Sequence, residues 1–202
     1  MSVEVNELMH GAQFAKYYVN RYLTNDIPNR INAYRSGWNI DSKELPTPEY
    51  YLTYEPIALD HWPTLITVCI STSPFDRLMQ GAQGDPLYRV TYSMRTYVWV
   101  KTEGSEAVTL MRDRLTTVLR SALMDKPSLN SYDSVYDTDV QLDESSLIEE
   151  FSDLTLIKGD RVLAGAYLGY DLMLNEVIYR DQIAPINAIN IQNYNMRSGE
   201  TY

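Results

Sequence analysis

Residues 87–102 read LYRVTYSMRTYVWVKT. Tyr88, Val90, Tyr92, Met94, Val98 and Val100 fall on one side of a period of two, with Arg89, Thr91, Ser93, Arg95 and Lys101 on the other. That alternation is the mark of a long strand with one face on a core and the other wet or against a partner. Directly downstream the period changes. Val108, Met111, Leu115, Val118, Leu119 and Ala122 recur every three or four residues, predicting a helix over 104–124 that Pro127 stops.

Working outward, TLITVCIST (64–72) predicts a second, β-branched strand, and SPFDRLMQGAQGDP (73–86) between the two reads as a Gly- and Pro-marked loop. Val5, Leu8, Met9, Ala12, Ala15, Val19, Tyr22 and Leu23 predict an amphipathic helix over 3–24, with Ser2 as its cap. Asn25 or Asp26 then caps a second short helix with Pro28 in its first turn and Gly37 as its stop. Pro46, Pro48, Pro56 and Pro63 punctuate loop and edge strand, with Tyr50–Leu59 extended. Beyond the second long helix, 131–158 is acidic with short apolar fragments, and KGDR (158–161) reads as a hairpin turn. A closing strand alternates from Val162 to Asn175, and its small residues predict close backbone approach to a neighbour. The expected fold is α+β: a mixed, mainly antiparallel sheet of about four to five strands packed by two long helices. Residues 1–180 form a single domain, and the Asn-rich, nearly uncharged 181–202 forms an extended C-terminal arm.

The chain has 202 residues, 45% of them hydrophobic and 22% charged, enough to bury one sizeable core. One cysteine, Cys69, excludes an internal disulfide framework. Glu4 and Glu7 stand where an export signal needs basic residues, and the longest apolar runs fall far short of the roughly 20 residues of a membrane span. A soluble chain with no membrane partner is expected. The net charge is −10, and residues 131–178 hold eleven acids against two bases. With no cluster of Lys and Arg, grip on phosphate is not expected, although an acidic wall can still let DNA pass.

Motifs for chemistry are missing. Cys69 sits mid-strand and reads as a structural thiol, with His10 and His61 far apart in sequence. No G-x-S-x-G elbow occurs, and GAQGDP (81–86) lacks the Lys-Ser/Thr pair of a phosphate loop and precedes a strand instead of a helix. Asp137, Asp139 and Asp143 have calcium-loop spacing, but the required glycine is missing and Ile148 replaces the bidentate glutamate. They read as a solvated acidic face, and no catalytic residue, cofactor or metal is expected. The 17 tyrosines, among them Tyr17, Tyr18, Tyr22, Tyr88, Tyr92 and Tyr97, serve either core packing or subunit contact.

The order of elements carries more. A long N-terminal helix and a Pro-rich passage precede TLITVCIST and YRVTYSMRTYVWVKT; a helix with LMRDRLTTVLRSAL and the closing AGAYLGYDLMLNEVI follow. This layout, over roughly residues 1–178, resembles the tail terminator (tail completion) proteins of long-tailed bacteriophages. The resemblance is most specific in 87–102 with 104–124, while 131–158 and the arm have no counterpart in the family pattern.

The resemblance implies a virion structural protein of the tail and neck, assembled in the host cytoplasm. It implies a homohexameric ring that caps the tail tube, stops its polymerisation and joins tail to head connector. The implied partners are further copies of itself, the tail tube protein, a head–tail connector or stopper protein, and double-stranded DNA passing unbound through the lumen. On this reading Asp133, Asp137, Asp139, Asp143, Glu144, Glu149, Glu150 and Asp153 are candidate lumen or rim residues. Arg89, Arg95, Tyr97, Trp99, Ile183, Ile186, Ile189 and Ile191 are candidates for the subunit interface. The alternatives are another neck component, a connector or stopper, and, from a different class, a small cytosolic hydrolase using Cys69 or His61.

Overall fold

The computed structural model describes residues 11–56, 58–73, 75–80, 86–125, 129, 140–152, 155–156 and 161–177. They form an α+β fold: helices α1 (Ala12–Trp38) and α2 (Ser105–Asp125), and strands β1 (Tyr50–Leu52), β2 (Thr64–Thr72), β3 (Asp76–Gln80), β4 (Pro86–Glu103), β5 (Val140–Phe151), β6 (Thr155–Leu156) and β7 (Arg161–Val177). The sheet is mixed. Its order is β1-β2-β4-β7-β5, with β3 on β4 beyond the end of β2 and β6 on β7 beyond the end of β5. Seven strands thus occupy five lanes, and only the β1–β2 pair is parallel.

Strands β4 and β7 pair without interruption from Leu87↔Val177 to Glu103↔Arg161 and form the spine. The predicted alternation on β4 holds: Val90, Tyr92, Met94, Val98 and Val100 are buried, joined by Thr96. On β7 the buried set is Val162, Ala164, Ala166, Leu168, Tyr170, Leu172, Leu174 and Glu176. Both helices lie over that face, and their buried stripes (Tyr18, Tyr22, Ile27 and Ile31; Leu115, Leu119 and Leu123) merge with it in one core. Tyr22 Oη donates to the Ala122 carbonyl at 2.5 Å, and Arg30 bridges to Asp125 at 2.6 Å, fixing α1 against α2. Thr67, Thr96 and Tyr170 form a buried hydroxyl ladder across three strands at 3.1 and 2.9 Å, so each polar atom in this part of the core is satisfied.

Four expectations are corrected. The two N-terminal helices are one: α1 runs through Pro28 and past Gly37 to an Asn39 cap in the left-handed region, φ 54°. Proline removes one helical hydrogen bond, but fully buried Ile27 and Ile31 flank it and tertiary packing outweighs that loss. Residues 3–10 lie outside the described residues. The extended passage at Tyr50–Leu59 shortens to the three residues of β1. The loop between β2 and β4 contains β3, and the acidic passage contains β5, a twelve-residue edge strand. β5 is interrupted after Asp143, where the pairing jumps from Asp143↔Asp171 to Ile148↔Gly169. The Asp143 carboxylate accepts from the Ser145 N–H and hydroxyl, and Ser146 Oγ accepts from the Asp171 N–H, pinning a bulge. The KGDR turn itself lies outside the described residues, as does the arm at 181–202.

Burial raises the pKa of Tyr51, Tyr92 and Tyr170, with a hydrogen bond to Glu176 adding to it at Tyr92. A phenol whose folded pKa is raised contributes stability that is complete below the unfolded value of about 10 and is lost as pH climbs above it. The melting temperature is therefore expected to fall steeply above about pH 10. Phenolate absorbance should lag behind that of free tyrosine until the chain unfolds; titration of all the tyrosines at the free value in a still-folded chain is the contrary result.

Candidate subunit interface

The opposite face of the sheet carries no described helix. On β4 it presents Arg89, Thr91, Ser93, Arg95, Tyr97, Trp99 and Lys101, all partly or fully exposed. All four interface candidates of this strand thus share one face. The signal missed in the sequence is its partner on β7. Register sets Tyr97 opposite Tyr167 and Trp99 opposite Gly165. The two tyrosine rings lie 5.5 Å apart, and the Arg95 guanidinium sits 4.5 Å above the Tyr167 ring. A hydrogen bond between Arg95 and Tyr97 raises the Arg95 pKa, and one between Tyr167 and Glu150 raises that of Tyr167. Both groups keep their ordinary charge state at neutral pH: one cation on a stack of neutral rings.

The small residues of β7 make this packing possible. A Cβ on Gly165 would stand 2.6 Å from the Trp99 ring, and one on Gly169 would stand 3.0 Å from Ile148. Each glycine is a slot roofed by the side chain opposite it. Gly165→Ala is expected to push the Trp99 ring off the sheet. The expected cost is about 1–2 kcal/mol, the range of mild overpacking. Indole fluorescence should shift to the red; an unshifted spectrum would mean the ring has room to spare.

The acidic candidates separate. Asp143, Glu144, Glu149 and Glu150 lie on β5, whereas Asp133, Asp137, Asp139 and Asp153, like Ile183, Ile186, Ile189 and Ile191, lie outside the described residues. Glu149 turns toward the helices and pairs with Arg120 of α2 at 3.3 Å. Glu150 belongs to the face opposite the helices, beside Tyr167. Asp143 stands opposite Asp171, a repulsive register that hydroxyls relieve: Ser145 bonds Asp143 at 2.6 Å and Ser93 bonds Asp171 at 2.7 Å. Glu144 is exposed in the bulge.

At the upper end of the face a notch of about 390 Å3 is lined by Asp60, Trp62, Lys101, Thr102, Glu103 and Arg161, with the Lys101 ammonium 5.6 Å from the Trp62 ring centre. His61 stacks on Tyr50 at 4.2 Å and faces Glu49, while Cys69 is half-buried and donates to the Ser71 carbonyl. Burial pushes the Cys69 thiol up, away from the thiolate that a nucleophile requires. Among the described residues no group of three His, Cys, Asp or Glu side chains is arranged to hold a metal ion, and no helix is long and apolar enough to cross a membrane.

The face therefore offers adhesion: rigid aromatic rings, two arginines on β4, few lysines, and an acidic margin. Comparison with known proteins returns no matching family model and no matching curated protein.

Proposed function

We propose that this chain is a virion structural protein, a tail terminator whose copies close into a ring, six by resemblance, on the end of a phage tail tube. There it ends tube polymerisation and presents the tail to the head connector. The observation that carries the reading is the face of the β4–β7 spine that no described helix covers. Tyr97, Trp99, Tyr167 and Arg95 are residue types enriched where protein meets protein, and together they make a poor choice for a face that only water touches. The layout resemblance supplies the kind of assembly. The acidic excess supplies a lumen wall that DNA slides past, with charges held apart from phosphate by repulsion.

Electron microscopy of the purified chain tests the ring, and tube protein polymerised in its presence tests the terminator. Closed rings that sit on tube ends and stop their growth are the expected result. Rings that bind no tube but join a portal-side partner would move the chain to another position in the neck. A persistent 23 kDa species that leaves tube growth unchanged would overturn the reading.

A further inference from the structure

The face that no described helix covers is about the size of a complete binding surface. Four lanes at about 4.8 Å and ten residues along β4 at about 3.3 Å, with the three residues of β1 at the margin, give roughly 680 Å2. That is close to the roughly 800 Å2 that each partner contributes to a standard protein interface. Its cations stay outside the ion pairs of the described residues, although Asp60 and Glu103 line the notch that holds Lys101 and Arg161, and the Glu150 charge reaches Arg95. Arg95 and Lys101 lie over aromatic rings, and neither they nor Arg161 form an ion pair with a carboxylate among the described residues. The chain as a whole is at −10, so two copies repel unless their contact is locally complementary.

The complement is on the chain itself. The β5 bulge after Asp143 pushes Glu144 and Ser145 out from the edge of the sheet, and both are exposed. The same bulge breaks the ladder of free backbone groups, so this edge is ill suited to strand addition and presents side chains instead.

We propose that the Arg95–Lys101 face of one copy receives the acidic β5 bulge of the next, with Glu144 against the cations and Tyr97, Trp99 and Tyr167 packed around it. The two patches occupy different lanes of one sheet. Repeated head to tail, such a contact is heterologous, the kind that closes into a ring or runs on as a filament, whereas its reciprocal form stops at a two-fold dimer. This rests on the ring reading above, but names the two surfaces that make it.

Reciprocal charge exchange tests it in the full-length chain. Variant one carries Arg95→Glu and Lys101→Glu, and variant two carries Glu144→Lys; circular dichroism and melting confirm that each folds. Each alone is expected to associate at least about tenfold more weakly than the parent chain, because like charges then face each other. An equimolar mixture restores association in alternation, since each variant's altered patch then meets the other's. Raising ionic strength weakens the parent assembly. Analytical ultracentrifugation at tens-of-micromolar concentration reads all of these. Variants that associate like the parent, or a mixture that stays dissociated, overturn the assignment. Parent rings unaffected by either variant overturn this interface while leaving the ring itself standing. Charge rescue without any effect on tube growth keeps the interface and removes the terminator role. A parent chain that stays monomeric, with the face covered by its own residues, overturns the inference.

Discussion

Leu168→Ala is expected to lower stability by roughly 2–5 kcal/mol, whereas Tyr167→Ala, one residue away on the same strand, should cost far less and instead weaken association. Leu168 is fully buried beneath the helices at the centre of β7, between Tyr170 and Ala166 on the same face. Removing its branched end leaves a hole that neighbours on a spine paired over seventeen positions cannot collapse to fill. For a chain of this length the drop in melting temperature should be on the order of 10 °C. Tyr167 points the other way and is partly exposed, held by Arg95 and Tyr97. Its loss removes ring contacts from a surface and opens no cavity in the core. Thermal melts and sedimentation on the same two proteins separate the effects. Equal destabilisation by both substitutions would mean that the second face is also a folded core, covered within the subunit.

That asymmetry explains what the sequence disclosed. On β4 every core position is apolar except Thr96, and every outward position from Arg89 to Lys101 carries a polar group or an aromatic ring, so a period of two was legible without any tertiary knowledge. Helix α2 was legible for the same reason at a period of 3.6. β5 was not, because its bulge changes register partway: Val140 and Leu142 point inward, and then the phase is lost before Ile148. Half of that strand faces the helices through Glu149, a charge that reads as solvent in a sequence and is paired with Arg120 in the fold. Pro28 misled in the opposite sense. Local chemistry starts a new helix there, capped by Asn25 or Asp26, but a stripe running from Phe14 to Ile31 buries too much apolar surface to be broken. The candidate site was half legible. The residues on β4 were visible as the wet half of an alternating strand, while Tyr167, Gly165 and Glu150 become part of it only through pairing across long sequence separations.

Glu176→Ala is expected to cost roughly 2–4 kcal/mol, more than any surface carboxylate of this chain, because it empties a buried junction of three elements. Glu176 is only 6% exposed, and its Oε1 accepts from Tyr92 Oη at 2.5 Å and from the Gly11 N–H at 3.0 Å. Gly11 stands immediately before α1 with φ 76°, a conformation glycine adopts without strain, and its N–H looks back to the end of β7. The carboxylate therefore does two jobs. It places a negative charge at the positive end of a 27-residue helix, and it consumes the one polar atom that Tyr92 brings into the core. Alanine leaves the buried hydroxyl without a partner, at about 1–3 kcal/mol, and releases the half-buried Gly11 amide at lower cost. Glu176→Gln keeps the shape and an acceptor oxygen but loses the charge, so its cost should be smaller, near 1–2 kcal/mol by the difference between charged and neutral hydrogen bonds. Adding Tyr92→Phe to Glu176→Ala removes the orphaned hydroxyl and should recover part of the loss, a non-additivity that a double-mutant cycle reads directly. Strictly additive losses would show that Tyr92 and Glu176 stabilise the fold independently.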